Sequence, residues 1–154
     1  TLNALKDERQ KEGNHITAVL TERLDEIESL VSEAEGLAAT QPEALRARLK
    51  DQVASLLEAS PALPEDKLAQ EAALLATKAD IREELDRLKG HVGAAREHLS
   101  KGGVIGRKLD FLCQEFNREA NTLCSKSADL ELTRIGLALK TSIDQLREQV
   151  ANIE

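Results

Sequence analysis

The chain of 154 residues is rich in charge and poor in aromatic rings: 32% of its residues are charged, 41% hydrophobic and 1% aromatic. This composition is typical of long helices with an aliphatic core, and it argues against a fold built from strands. The formal net charge of -7 argues against nucleic-acid binding by the whole surface, although it allows a local basic patch.

The cysteines and the hydropathy pattern bear on the compartment. Cys113 and Cys124 lie in one predicted helix, where ~16 Å would separate their Cα atoms, too far for a disulfide. Both are therefore predicted to be free thiols, which fits a reducing cytoplasm, with a cysteine-poor secreted protein as the alternative. No apolar run has membrane-spanning length and no signal segment opens the chain, so we expect no membrane association.

The first part of the chain predicts a helical hairpin. Apolar residues recur every three or four positions from Ile16 to Leu37, which predicts a helix over about residues 2–39. Residues 40–43 (Thr-Gln-Pro-Glu) have the form of a capping box and predict a second helix that folds back on the first. The resulting coiled-coil-like arm, 1–63, exposes more apolar surface than its short helix covers, so we expect self-association.

The rest of the chain, 64–154, predicts a helical bundle. A third helix is expected from Pro64 to about Leu99, and the glycine-rich segment 101–106 is the strongest turn signal. Further helices are expected at about 107–123 and over the apolar stripe that ends at Val150. The predicted fold is thus all-α, with about five helices.

The first group of candidate site residues precedes the glycine-rich turn. Asp80, Glu84 and His91 are spaced so that they can share one helical face, where carboxylates and an imidazole could hold a divalent ion. The alternative is a solvated face, since Glu83 lies one turn before Arg87 and such helical ion pairs are common and weak. On the residues alone, the solvated face is the favoured interpretation.

The second group follows the turn. Arg107 and Lys108 stand at a helix start, where backbone N–H groups add to their charge and a phosphate could bind. Asp110, Gln114 and Asn121 belong to a polar row that fits a hydrogen-bond network between subunits as well as it fits a site. Segment 102–106 lacks the context of a nucleotide-binding loop, and neither cysteine is assigned a catalytic role.

Two blocks of sequence resemble the C-terminal region of the bacterial YicC family. The first is KADIREELDRLKGH at 78–91; the second comprises GRKLDFL at 106–112, QEFNREANT at 114–122 and SKS at 125–127. The resemblance covers essentially the whole chain, and it is most specific in these blocks. It implies that an N-terminal domain of the family is absent here, in agreement with the missing initial Met.

The resemblance implies a cytoplasmic endoribonuclease that uses a divalent metal, Mn²⁺ or Mg²⁺, and assembles as a ring-like homo-oligomer, a hexamer. RNA is the implied partner, together with other RNA-decay enzymes. The site residues that it implies fall into three sets. They are the catalytic residues Glu115, Glu119 and His91, the RNA-binding residues Arg107, Lys108, Arg118 and Lys126, and the metal ligands Asp80, Glu84, Glu115 and Glu119.

Two questions stay open at this point. Cleavage could use water activated by the metal, or a base that deprotonates the ribose 2′-hydroxyl. The chain could instead be a non-catalytic RNA-binding or oligomeric adaptor that works with a partner ribonuclease, its polar row forming an interface. In either case the sparse aromatic residues argue against base stacking, so we expect capture of RNA through its backbone.

Overall fold

The computed structural model describes residues 2–59, 67, 70–71, 73–74, 80–127 and 130–153, except for the side chains of 39–42, 44–46, 53 and 56–59. Four long helices lie in these ranges: α1 (Leu2–Ala59), α2 (Arg82–Lys101), α3 (Gly106–Lys126) and α4 (Leu130–Ala151). The described part of the chain contains no strand, which confirms the all-α prediction. None of its helices is long and apolar enough to cross a membrane.

The four helices form an antiparallel bundle. Each helix packs on the two that are its neighbours around the bundle, α1 on α2 and α4, and α3 on α2 and α4. Ion pairs mark the α1–α2 interface, where Arg96 binds Asp25 and Glu28, and Lys89 binds Glu35. Lys89 comes before Arg96 on α2, but its partner on α1 comes after the partners of Arg96. The two helices therefore run in opposite directions, as in an up-down-up-down bundle.

The core is aliphatic, as the composition predicted. All four helices contribute buried leucine, isoleucine or valine, and Phe116 is the largest fully buried side chain. The predicted stripe of α1 supplies the core residues Leu20, Leu24, Ile27, Val31 and Ala34. These side chains pack on other helices of the same chain, so an uncovered apolar stripe on α1 is no longer a reason to expect self-association.

The predicted hairpin at residue 40 is wrong, because α1 continues through segment 40–43 as one helix of 58 residues. Its length is about 87 Å at 1.5 Å per residue, against about 30 Å for α2. A proline inside a helix costs about 3 kcal/mol, which a helix packed on two neighbours can absorb. Since α2 and α4 cover the apolar stripe, no returning helix is needed to bury it.

The predicted third helix also differs from the structure. Asp80 and Ile81 are not helical, and α2 begins at Arg82, whose backbone N–H donates to the Asp80 carboxylate at 3.0 Å. Most of the predicted start of that helix, and the predicted domain boundary between residues 63 and 64, lie outside the described residues.

The predicted glycine turn lies between α2 and α3. Gly102 and Gly103 have φ of 69° and 83°, a region that residues with a Cβ rarely adopt. The backbone N–H of Gly102 donates to the carbonyl of His98 at 3.1 Å and closes the end of α2. The turn reverses the chain and sets α3 antiparallel to α2.

Gly136 marks the closest approach of α3 and α4, and this generates a prediction. A Cβ at this buried position would lie 2.5 Å from the Sγ of Cys124. We expect Gly136→Ala to lower the free energy of unfolding by about 1–3 kcal/mol, measured by urea unfolding, because the α3–α4 contact must open. Adding Cys124→Ala should recover much of the loss, since it removes the nearest atom.

Gly93→Ala is the matched control, because a Cβ there meets no atom within 4 Å. On an exposed helical position, alanine should raise the free energy of unfolding by up to about 1 kcal/mol. Equal effects at the two glycines would contradict the close-packing account.

Candidate metal centre

Three predicted site residues converge between α2 and α3. His91 on α2 and Glu115 and Glu119 on α3 each offer one ligand atom, and these atoms all lie within 4.8 Å of one another. Glu115 and Glu119 are one helical turn apart, so both carboxylates lie on the side of α3 that meets α2. Glu119 is buried, whereas His91 and Glu115 are half-buried, so the cluster is reachable from solvent at the Glu115 edge.

The imidazole of His91 is held against the core but lacks a polar partner. Its ring makes an edge-on contact with Phe116, with centroids 5.8 Å apart and planes at 81°. Its Nε2 atom is buried and has no hydrogen-bond partner in the described structure. A buried ring nitrogen without a partner is costly, and a metal ion bound to it would relieve that cost. One imidazole and two carboxylates therefore suit a divalent cation.

Arg87 extends the cluster towards solvent. Its Nη1 lies 3.5 Å from Oε2 of Glu119, and its Nη2 lies 3.2 Å from Oε2 of Glu83. The exposed Glu83–Arg87 pair is the helical ion pair predicted from their spacing. Spacing along the sequence does not predict the contact between Arg87 and Glu119, because the two residues lie on different helices. This guanidinium offsets part of the negative charge of Glu119 but leaves that of Glu115.

Glu84 and Lys126 bind each other. Glu84 is buried, and its Oε1 accepts a hydrogen bond of 2.7 Å from Nζ of Lys126, which also donates to the backbone carbonyl of Asp80 at 3.2 Å. A carboxylate in a core requires such a cation. The predictions of Glu84 as a metal ligand and Lys126 as an RNA contact must therefore compete with this ion pair, which joins the start of α2 to the end of α3.

Asp80 is engaged by its neighbour. Its carboxylate accepts hydrogen bonds from the guanidinium and the backbone N–H of Arg82, and the side-chain bond, the larger cause, holds the pKa of Asp80 below its ordinary value. Asp80 also precedes α2, so it does not share a helical face with Glu84 and His91. The structure brings together His91, Glu115 and Glu119, and it places Asp80 and Glu84 outside that cluster.

The cations of α2 and α3 differ in their pairing. Every Lys and Arg of α2 forms an ion pair with a carboxylate. Arg107, Lys108 and Arg118 of α3 are exposed, and none of them forms an ion pair within the described part of the chain. These three predicted RNA-binding residues thus keep their charge available to an external anion.

Of the polar row predicted on α3, Asp110 contacts α4. Asp110 accepts a hydrogen bond from Gln114 at 3.3 Å and faces Arg147 at 3.7 Å, and Asn121 is exposed. Both cysteines are free, as predicted. Burial raises the pKa of the Cys113 thiol to about 11, so it stays protonated at neutral pH and is no nucleophile.

The chain is similar to known proteins of one family. Residues 33–154 match the family model described as endoribonuclease YicC-like, C-terminal. The chain is 37% identical over 150 residues to a protein of Clostridioides difficile (strain 630) named probable endoribonuclease YicC. It is 39% identical over 146 residues to a protein of Haemophilus influenzae (strain ATCC 51907 / DSM 11121 / KW20 / Rd) with the same name. These alignments cover 97% and 95% of this chain but 51% and 50% of the relatives, so the chain spans about half of their length.

The Glu84–Lys126 pair generates a stability prediction. Lys126→Met leaves the buried Glu84 carboxylate without its cation and should lower the free energy of unfolding by about 3 kcal/mol, measured by urea unfolding. The double variant Glu84→Leu with Lys126→Met should recover most of that loss, because no charge is then buried. Lys101→Met, which breaks an exposed pair with Glu97, is the control and should cost less than about 1 kcal/mol.

Proposed function

We propose that this chain, which belongs to the YicC-like endoribonuclease family, is the C-terminal part of an enzyme that cleaves RNA with a divalent cation. In this proposal His91, Glu115 and Glu119 hold the cation. The observation that carries it is the convergence of two carboxylates and a histidine with an unpartnered buried nitrogen between α2 and α3. The names of the two relatives supply the reaction, and the geometry supports the position of the site.

The donor set favours Mn²⁺ over Mg²⁺. Mg²⁺ takes oxygen ligands almost exclusively, whereas Mn²⁺ accepts carboxylates and tolerates an imidazole nitrogen. When bound, the cation would supply Lewis-acid chemistry to the scissile phosphodiester.

The protein side chains have separate roles in this proposal. Glu119, buried and beside Arg87, is a fixed ligand. Glu115 would also hold the cation, but it is less buried and has no ion-pair partner in the described structure, so it is in addition the carboxylate placed to accept a proton, either from water or from the ribose 2′-hydroxyl. Arg118 and Lys108, unpaired on the same helix, bind the phosphates on either side.

Assembly and location complete the proposal. A ring-like hexamer is compatible with the part of α1 that extends beyond the bundle, where residues 2–15 are all exposed and include the apolar Leu2 and Leu5. Cytoplasmic location and contacts with other RNA-decay enzymes follow from the resemblance alone and stay predictions.

The alternative is an RNA-binding or oligomeric adaptor that works with a partner ribonuclease. The observation in its favour is the ion pair between Arg87 and Glu119, which gives this carboxylate a structural role without a metal. In an adaptor, changes at Glu115 and Glu119 would alter assembly or RNA affinity, and the protein alone would not cleave RNA.

Cleavage by the full-length protein tests the enzyme proposal. We expect Mn²⁺-dependent cleavage of a labelled RNA that stops in EDTA, and a loss of at least 100-fold in rate for Glu115→Gln and Glu119→Gln, since each removes a charged ligand. Gel analysis of the products, including whether they end in a 2′,3′-cyclic phosphate, identifies the group that is deprotonated.

Glu97→Gln is the control for these carboxylates. Glu97 is an exposed carboxylate of α2, six residues after His91, and this variant should cleave RNA at the wild-type rate. Unchanged size in gel filtration is required of every variant. RNA binding without cleavage under all metal conditions would favour the adaptor.

Metal binding tests the proposed ligands without reference to activity. We expect the electron paramagnetic resonance signal of free Mn²⁺ to fall on addition of wild-type protein, and His91→Ala to weaken binding at least tenfold through loss of a ligand. His98→Ala removes the other histidine of α2 and should bind Mn²⁺ as the wild type does. Equal affinities for the two variants would exclude His91 as a ligand.

A further inference from the structure

One aromatic ring in the described structure is exposed in the middle of a bundle helix. Phe111 of α3 is 60% exposed, whereas the other aromatic residue of the chain, Phe116, is fully buried. Phenylalanine is a weaker helix former than leucine, lysine or glutamate, so an exposed helical position gives it no advantage in stability. The exposed ring offers an aromatic face on which another aromatic ring can stack.

The surroundings of Phe111 indicate the chemistry of what it binds. Arg107 lies one turn before it, Lys108 three residues before it and Arg118 two turns after it, all exposed and none in an ion pair within the described ranges. The chain as a whole is acidic, with a formal net charge of -7, so a local run of unpaired cations is not a sample of the average surface. Free cations around an apolar ring suit a ligand that is both anionic and aromatic.

Single-stranded RNA has both properties. Its phosphates can pair with guanidinium and ammonium groups, and its bases can stack on an aromatic ring. A duplex offers the same phosphates but keeps the faces of its bases stacked inside the helix. A partner protein with an uncharged surface would leave the three cations without partners. A partner protein with an acidic surface would pair with the cations but would offer no aromatic face to the Phe111 ring.

The register of α3 connects Phe111 to the candidate metal centre. Phe111 precedes Glu115 by one helical turn and Arg118 follows it by three residues, so both neighbour Glu115 on the helix surface, with Cβ atoms about 5–6 Å away. Glu115 is the solvent-reachable edge of the His91–Glu115–Glu119 cluster. A base stacked on Phe111 would therefore hold its own phosphates beside that cluster.

We propose that Phe111 is a base-stacking platform that positions single-stranded RNA along the outer face of α3, next to Glu115. The proposal rests on the proposed ribonuclease function and deepens it by naming the form of RNA that the site takes. It also corrects the expectation, drawn from the scarcity of aromatic residues, that stacking plays no part. Phe111 is a positioning residue, since it makes no contact with the cluster itself in the proposal.

Binding in EDTA isolates this role from catalysis. By fluorescence anisotropy, full-length protein with Phe111→Leu should bind a labelled 12-nucleotide single strand about 5- to 100-fold more weakly than the wild type does. For the same strand annealed to its complement, the affinity of Phe111→Leu should be less than 2-fold below that of the wild type. The affinity for an abasic oligonucleotide of equal length, which keeps the phosphates, should also fall by less than 2-fold.

The salt dependence separates stacking from charge. Because phenylalanine carries no charge, Phe111→Leu should keep the slope of log affinity against log salt concentration, whereas Arg118→Gln should reduce that slope by about one. Leu137→Ala is the matched control, an apolar residue on α4 that is 56% exposed. It should bind the single strand as the wild type does.

A tryptophan probe supplies a spectroscopic readout. Phe111→Trp should restore tight binding, and its added fluorescence should be quenched by the single strand but not by the abasic oligonucleotide. Leu137→Trp should show no quenching.

The outcomes separate the two proposals. If the wild type cleaves RNA and Phe111→Leu binds the single strand unchanged, the stacking proposal is overturned while the nuclease proposal stands. If Phe111→Leu changes the oligomeric size and weakens all three nucleic acids equally, the ring belongs to a protein interface and stacking is again overturned. If Phe111→Leu weakens binding of the single strand selectively and the wild type does not cleave RNA, the result supports stacking and favours the adaptor function.

Discussion

The buried carboxylate of Glu84 constrains how α2 and α3 fit together. A charge in an aliphatic core is tolerated only beside an opposite charge, and Lys126 supplies it from the last turn of α3. Its second hydrogen bond, to the carbonyl of Asp80, reaches the residue just before α2. With the glycine turn at the opposite end, this pair sets the register of the two helices, and that register places His91 over Glu115 and Glu119.

The same register explains why α2 and α3 have different surfaces. The cations of α2 pair with carboxylates of α1, of α3, of their own helix or of Asp80 just before it, and the pairs with α1 and α3 tie α2 to its neighbours. On α3, Glu115 and Glu119 contribute to the cluster with His91 of α2, whereas Arg107, Lys108 and Arg118 on the outer face form no ion pair within the described residues. One helix thus carries an acidic edge and a basic face separated by about a turn. An enzyme that binds a polyanion and a metal ion needs such a separation, because the two charges would otherwise neutralise each other.

The long helix α1 has a different relation to the site. Its middle part supplies core residues between Leu20 and Ala34, while residues 2–15 extend beyond the bundle. The chain spans about half the length of these relatives. A helix that projects past its own core can contact a further segment without altering the packing around His91.

Much of the local structure could be predicted from the sequence. The apolar periodicity located the core positions of each helix, and the paired glycines located the turn, because these signals depend on neighbours only a few residues away. The capping-box pattern at Thr40 misled for the same reason: it is a local signal, and α1 continues through it as one helix. The motif blocks selected Glu115, Glu119 and His91 together with Asp80 and Glu84.

The sequence by itself therefore determined that the chain is helical, where α3 lies and where α2 and α4 end, and which polar residues are candidates for chemistry. Only the tertiary structure decided which candidates meet. The antiparallel register of α2 and α3 places His91 beside Glu115 and Glu119 and pairs Glu84 with Lys126. It also leaves the ring of Phe111 exposed to solvent. The physical reason is that charge pairing and burial depend on contacts between helices, and periodicity along one helix does not specify them.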